Sequence, residues 1–298
     1  MDDRVPFALV DVFADVPLAG NPLAVVPDAD QLPEDLFPRI AREFNQAETT
    51  FLLRPTQPGA HWRLRSFTAE GQEVYGAGHN ALGAWWWLAE QGRLAGSDGE
   101  RIWRQEIGPA VLPVRVTMVE GRPARIAMRQ QPAEYGPELT DLHRLAQALQ
   151  VDRDSLGAAP ELPVAQVVST GAAHLLVGLS GRAVVEAAGQ DRQVLKDLLL
   201  DVGGEGIYLY ALDPAEPAAD AHARFFNPVA GIVEDPATGT AAGPLASLLA
   251  RHGRAGDRVT IVQGHAMGRP SRIVISLADA PTLEGRAALS ATGELRLR

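Results

Sequence analysis

Residues 76–92 read GAGHNALGAWWWLAEQG, and residues 234–253 read EDPATGTAAGPLASLLARHG. With Gly92 set on Gly253, Gly78, Ala81, Leu88 and Ala89 fall on Gly239, Ala242, Leu249 and Ala250. Each copy is a glycine beside a polar residue, followed by an almost wholly apolar helical stretch. A helix that is apolar all round is buried rather than amphipathic. Its N-terminus carries unpaired backbone N–H groups and the positive end of the dipole. Two such helices, one per half of the chain, provide two anion-binding ends. Were the halves to face each other, those ends could hold one small acid. The repeat is short and rich in glycine and alanine, so coincidence between two low-complexity segments is the competing reading.

The pattern around these helices is sheet-rich. Strands are expected at Phe7–Phe13, Leu23–Val26, Glu48–Leu53, Trp62–Phe67, Ile102–Glu106 and Val111–Val119, with a helix over Pro33–Phe44 where Leu36, Phe37, Ile40 and Phe44 recur at helical spacing. Gly76–Gln91 is the first buried helix, closed by Gly92. The pattern restarts around Glu120–Arg122. Strands follow at Pro123–Gln130, Val164–Thr170, His174–Leu179, Ile207–Leu212 and Ala223–Phe226, and helices at Thr140–Leu149 and Arg192–Leu200. After the second buried helix come Val259–Gln263, Ser271–Leu277 and Gly285–Leu297. Pro244 must kink that helix or lie near its start. The expected fold is two α+β domains, each with strands wrapped about one helix. The first spans residues 1–120, with 282–298 a candidate to return to it; the second spans 121–281.

Composition narrows the function. The chain has 298 residues, enough for two domains, and a net charge of -10 that argues against nucleic acid or an anionic membrane. It has no cysteine, which removes disulfides, thiolate metal sites and thiol nucleophiles together. Lys196 is the sole lysine and sits in a helical pattern with no glycine-rich loop before it, so a pyridoxal or phosphate-loop role is disfavoured. Residues 1–13 lack a signal-peptide pattern, no apolar run of membrane-spanning length occurs, and a cytoplasmic location is expected. The seven histidines (61, 79, 143, 174, 222, 252, 265) form no pair at metal-ligand spacing, and the HExxH, GxSxG and phosphate-loop motifs are absent. GAGHNALG misses the dinucleotide fingerprint.

Acid–base chemistry remains. Glu48 is an acid at the entrance of an apolar strand, where desolvation would raise its pKa, unless it is a solvated strand-end residue. His79 follows Gly78 at a helix start, which disfavours the imidazolium; it could equally be a polar cap. Asp235 precedes Pro236 and reads as an N-cap with proline at the first helical position. His79 and Asp235 stand near equivalent ends of the two repeats.

Several segments together resemble the PhzF (phenazine biosynthesis-like) family, relatives of the diaminopimelate epimerases. They are DVFADVPLAGNPLAVV (11–26), NQAETTF (45–51), GHNALGA (78–84), VVSTGAAHLLV (167–177), FFNPVAGIVEDPATGTAAGPLASLL (225–249) and QGHAMGRPSRI (263–273). The resemblance implies two pseudo-symmetric domains, each a barrel-like sheet around a central buried helix. It implies a site in the cleft between them, a homodimer and no cofactor. By this resemblance Glu48 carries the proton, and His79 and Asp235 orient the substrate and assist. Gly78, Gly239 and Thr240, with Ala47 and Asn80 as neighbours, grip a substrate carboxylate.

The chain departs from the family's pattern at several places. Ala47 replaces a serine before the glutamate, Thr240 a serine of the EDPATG motif, and Ala77 a cysteine; Asn80 stands where small residues are usual, and Ala69 replaces a proline. These changes reshape the pocket without removing the three chemical groups. The expected function is a cofactor-independent isomerase of the trans-2,3-dihydro-3-hydroxyanthranilate isomerase type, moving a proton on a small carboxylic acid. The alternatives are an amino- or hydroxy-acid racemase or epimerase, and a binding protein that does no chemistry. The two-thiol epimerase mechanism is excluded by the absence of cysteine.

Overall fold

A computed structural model describes residues 4–213, 216 and 218–297. The chain divides into two compact units, residues 1–128 with 284–298, and residues 129–283. The pair Glu120–Gly121, where the sequence pattern restarts, is a hairpin turn with positive φ at both residues, and the division falls after Met128.

The first unit contains β1 (Arg4–Val12), β2 (Asn21–Val26), α1 (Phe37–Phe44), β3 (Glu48–Leu53), β4 (Trp62–Thr68), β5 (Glu73–Val74), α2 (His79–Glu90), β6 (Gly99–Ile107), β7 (Ala110–Val119) and most of β8 (Arg122–Arg129). The second contains β9 (Glu134–Glu138), α3 (Leu142–Leu149), β10 (Ala165–Ser169), β11 (Ala173–Gly178), α4 (Arg182–Ala187), α5 (Arg192–Val202), β12 (Gly206–Ala211), β13 (Ala221–Asn227), β14 (Ile232–Asp235), α6 (Gly239–Arg251), β15 (Arg258–Gln263) and β16 (Ser271–Ser276). The chain ends with β17 (Thr282–Gly285) and β18 (Ala287–Arg296); β18 pairs antiparallel with β1.

The two units have the same strand plan. In the first, β1 pairs antiparallel with β2, β2 parallel with β3, β3 antiparallel with β4, β4 with the short β5, β4 parallel with β6, and β6 antiparallel with β7. In the second, β10 to β16 repeat that series of partners and directions, with β14 in the place of β5. The helix after β5 is α2; the helix after β14 is α6. Two parallel pairings at the same places in each unit, with the apolar helix inside the second connection (α2 between β4 and β6, α6 between β13 and β15), establish the internal repeat that five aligned residues suggested.

Each sheet has two covered faces. Side chains alternate along a strand, so Phe51 and Leu53 of β3 pack with Phe37, Ile40 and Ala41 of α1. Thr50, on the other face, reaches toward α2 through Ser66. Every residue of α2 from Asn80 to Ala89 is buried, and α2 lies against β1, β2, β3, β7 and β18, strands well apart in the order of its sheet. That is a sheet wrapped about a central helix. In the second unit Leu175, Val177, Ile207, Leu209 and Phe226 pack against α3, α4 and α5, and α6 lies against β10, β11 and β16.

Both central helices stop the same way. Gly92 and Gly253 have φ near 65° and 69°; Arg93 N–H bonds Leu88 C=O and Arg254 N–H bonds Leu249 C=O. Gly92 N–H bonds Ala89 C=O and Gly253 N–H bonds Ala250 C=O. This pair of bonds is a Schellman motif, which needs a left-handed residue after the helix and so favours glycine.

Two expectations need correction, the cap at Asp235 and the single strand over Gly285–Leu297, and one is made definite, the place of Pro244. Asp235 does not cap α6. It is the last residue of β14, the cap position belongs to Thr238, and helical structure begins at Gly239. Pro244 is inside the helix, buried in its second turn, where it withholds the N–H that would bond Thr240 C=O. The single strand expected over Gly285–Leu297 is two strands, β17 and β18.

Candidate active site

In the first unit the sequence-derived candidates gather around the start of α2. Glu48 opens β3, paired with Leu23 on one side and Thr68 on the other. It lies two residues before Thr50 and therefore on the same, α2-facing side of the sheet. Thr50 Oγ1 and Ser66 Oγ share a hydrogen bond of 2.8 Å, and Asn80 Nδ2 donates to Ser66 Oγ at 3.1 Å. Asn80 Nδ2 also donates to Gly76 C=O at 2.9 Å, and Gly78 N–H donates to Asn80 Oδ1 at 2.8 Å. A buried amide thus ties the strand to the helix start, with both of its polar ends used. Gly78 is the helix cap residue, and Ala47 is exposed just before β3.

His79 is the first residue of α2. Burial lowers its pKa from 6.5 to about 4, so the ring is neutral at pH 7. Its Nε2 is buried and meets no hydrogen-bonding partner among the described residues. A neutral imidazole at the positive end of a helix is the form the dipole favours.

In the second unit the candidates gather around the start of α6. Thr238 Oγ1 donates to Asp235 Oδ2 at 2.5 Å. Gln263 Nε2 donates to Asp235 C=O at 2.6 Å and to Thr238 Oγ1 at 3.1 Å, while its Oε1 accepts from Tyr208 Oη and Thr238 N–H. Burial raises the Tyr208 phenol well above its ordinary value, and the Asp235 charge adds to that. Tyr208 is therefore a fixed hydrogen-bond donor. Gly239 C=O accepts from Gln130 Nε2 at 2.9 Å, and Thr240 Oγ1 lies 3.2 Å from His174 Nε2.

By the alignment that puts Gly92 on Gly253, the counterpart of His79 is Thr240 rather than Asp235. Asp235 belongs to the short strand β14, whose counterpart is β5. Five polar groups that hold these residues carry no obvious sequence signal: Ser66, Gln130, Thr170, Tyr208 and Gln263. They sit in or just beside strands, several among other polar residues, and nothing in the local pattern marks them. His174 stands in VVSTGAAHLLV, where a histidine inside an apolar strand is the only cue. Among the described residues no cluster of three or more His, Asp or Glu side chains could hold a metal ion.

Comparison with known proteins agrees with this architecture. The model of the phenazine biosynthesis-like protein family, PhzC-PhzF, matches residues 10–293. Trans-2,3-dihydro-3-hydroxyanthranilate isomerase of Pseudomonas aeruginosa is 35% identical over 271 residues, covering 90% of this chain and 88% of the relative. A solved phenazine biosynthesis protein of the PhzF family from Bacillus anthracis superposes with a TM-score of 0.86 at 25% identity, covering 98% of this chain and 99% of that one. A predicted epimerase from Pseudomonas aeruginosa superposes with a TM-score of 0.82 at 32% identity, with the same coverage. The chain belongs to the PhzC-PhzF family of phenazine biosynthesis-like proteins and is an isomerase.

Proposed function

We propose that the protein moves a proton between two positions of a small carboxylic acid, in the manner of a trans-2,3-dihydro-3-hydroxyanthranilate isomerase, with Glu48 as the proton carrier. The observation that carries this reading is the placement of Glu48 on the α2-facing side of β3, beside the Thr50–Ser66–Asn80 chain that fixes the start of α2. A carboxylate held on a rigid strand can accept a proton from carbon and return it. His79, neutral and at the same helix start, can donate or accept a hydrogen bond without bringing in a charge. Asp235, held by Thr238 and by Gln263 through its carbonyl, orients the acid. Each of the two N-termini, that of α2 and that of α6, presents N–H donors of the kind that hold a carboxylate without reorganisation. No step of this scheme calls on a metal or a redox group.

The test is solvent deuterium exchange. The protein is incubated in D2O with ring-unsaturated amino acids and hydroxy acids of the dihydro-anthranilate type, and the labelled carbon is located by NMR. Label at a carbon distant from the one that lost its proton supports isomerisation; label at the same carbon with inversion means epimerisation. Glu48→Gln, which keeps shape but cannot take a proton, is expected to lower exchange by on the order of 10²–10⁴-fold. Exchange at the unmodified rate in that variant would remove Glu48 from the role.

A further inference from the structure

The second unit contains a buried histidine to which the scheme above gives no role. His174 lies on β11 and is 3% exposed. It faces the α6 side of the sheet, since its neighbours Leu175 and Val177 face the outer helices. Phe225 meets its ring edge-on, with centroids 5.2 Å apart at 90°. The Phe225 ring can lie there because the strand-partner of His174 is Gly206, where a Cβ would come within 2.4 Å of that ring. Phe225 thus packs against one side of the imidazole, and its Nε2 lies 3.2 Å from Thr240 Oγ1. Burial holds its pKa near 4, so it is neutral at pH 7.

A neutral imidazole has one N–H and one bare nitrogen. His174 Nδ1 is buried and meets no hydrogen-bonding partner among the described residues. Placing the proton there would orphan a buried N–H, which native structures avoid more strictly than an unpaired acceptor. The proton therefore sits on Nε2, and the acceptor it meets is the Thr240 hydroxyl. We infer that His174 is a positioning residue: it donates from Nε2 to Thr240 Oγ1 and so turns the Thr240 hydroxyl proton outward, as a fixed donor for the carboxylate of an acid bound at the start of α6.

Thr240 is half-buried rather than fully enclosed. The repeat gives the arrangement its logic. In the first unit a neutral imidazole, His79, stands at the helix start itself. In the second that position is Thr240, and the imidazole stands one layer behind it, on β11, where the first unit has Leu23 paired to Glu48 as His174 is paired to Gly206.

This inference rests on the reading that α6 receives the acid's carboxylate, and the experiment separates the two. The full-length protein labelled with ¹⁵N-histidine is observed by long-range ¹H–¹⁵N correlation at pH 7, with His174 assigned from the spectrum of His174→Gln. The expected result is the Nε2–H tautomer for His174, and a shift of its Nε2 signal on titration with benzoate, the simplest aromatic carboxylate. Benzoate is expected to bind roughly tenfold to a hundredfold more weakly to Thr240→Val, which has no hydroxyl, the range for a hydrogen bond to a charged group. Thr240→Ser should retain the affinity, and His174→Gln, whose amide can still donate, should retain more than His174→Phe. An Nδ1–H tautomer, or unchanged benzoate affinity in Thr240→Val, overturns the inference. The tautomer does not depend on turnover, so it stands or falls apart from the exchange result with Glu48→Gln.

Discussion

Asn80 Oδ1 accepts the N–H of Gly78, two residues back, at 2.8 Å, while Asn80 Nδ2 donates to Ser66 and Gly76. One side chain thereby closes the loop before α2 and anchors it to β4. The residue is 2% exposed. Asn80→Ala should leave Ser66 and the Gly78 N–H short of partners and cost about 1–3 kcal/mol of stability. It should also lower exchange activity through misplacement of His79. Urea denaturation checks the first and deuterium exchange the second. Full activity with lowered stability would show that the network holds the fold but not the site.

Gln263 is the corresponding hub of the second unit. Its amide touches Asp235 C=O, Thr238 and Tyr208, all within 3.2 Å. Gln263→Leu keeps the volume but leaves the buried Tyr208 hydroxyl and Thr238 N–H unpaired. A loss of about 2–4 kcal/mol is expected, because buried donors are costly to orphan. Gln263→Glu restores an acceptor for Tyr208 but sets a carboxylate beside Asp235, so it should rescue little. Equal stability of Gln263→Leu and the parent would mean that the hub is dispensable.

His174 makes stability depend on pH. Its folded pKa lies near 4 against 6.5 for the free side chain, through burial. Between those values the unfolded chain binds a proton that the folded chain does not. Stability therefore falls as pH drops through about 6.5, by at most about 1.4 kcal/mol per pH unit for this residue, and levels off below about 4. His79 adds a contribution of the same sign. Urea midpoints at pH 7, 6 and 5 should fall more steeply for the parent than for His174→Phe. Parallel slopes would mean that the His174 ring takes its proton as readily folded as unfolded.

Much of this architecture is legible in the sequence because its signals are local. The apolar runs of α2 and α6, the glycines that end them and the alternation of β3 can each be read within a dozen residues. The failures are contacts made across the fold. Asp235-Pro236 has the composition of a helix cap, yet Asp235 is held in β14 by its pairing with Phe225, and the helix waits for Thr238. The six residues of α4 are too few to show a period, and their single fully buried residue is Val185. The strands β5, β9 and β14 are short edges whose pairing, rather than composition, makes them strands. His174 is visible as a letter in an apolar strand, but its partner Thr240 lies 66 residues on. Only the parallel crossover from β11 to β12 and the passage of α6 across that sheet bring the two together.

Gly243 in α6 offers a test whose sign is informative. A Cβ at this position would lie 1.7 Å from Gln130 Oε1 and 2.9 Å from Thr170 Oγ1. The obstacle is the end of a flexible side chain, so Gly243→Ala can be accommodated if Gln130 swings away. That movement breaks the bonds Gln130 makes to Gly239 C=O at 2.9 Å and to Thr170 Oγ1 at 3.0 Å. Alanine gains about 1 kcal/mol over glycine inside a helix, while two part-buried hydrogen bonds lost together cost about 1–3 kcal/mol. In the parent, Gly243→Ala should therefore be neutral to destabilising by up to about 2 kcal/mol. In a Gln130→Ala background those bonds are already gone, and the same substitution should be stabilising. The double mutant, measured by urea denaturation, should thus be more stable than the two single effects add up to, a coupling between residues 113 positions apart in the sequence. If Gly243→Ala has the same effect in both backgrounds, Gln130 is not what keeps position 243 a glycine, and the anchoring of the α6 start by Gln130 contributes little.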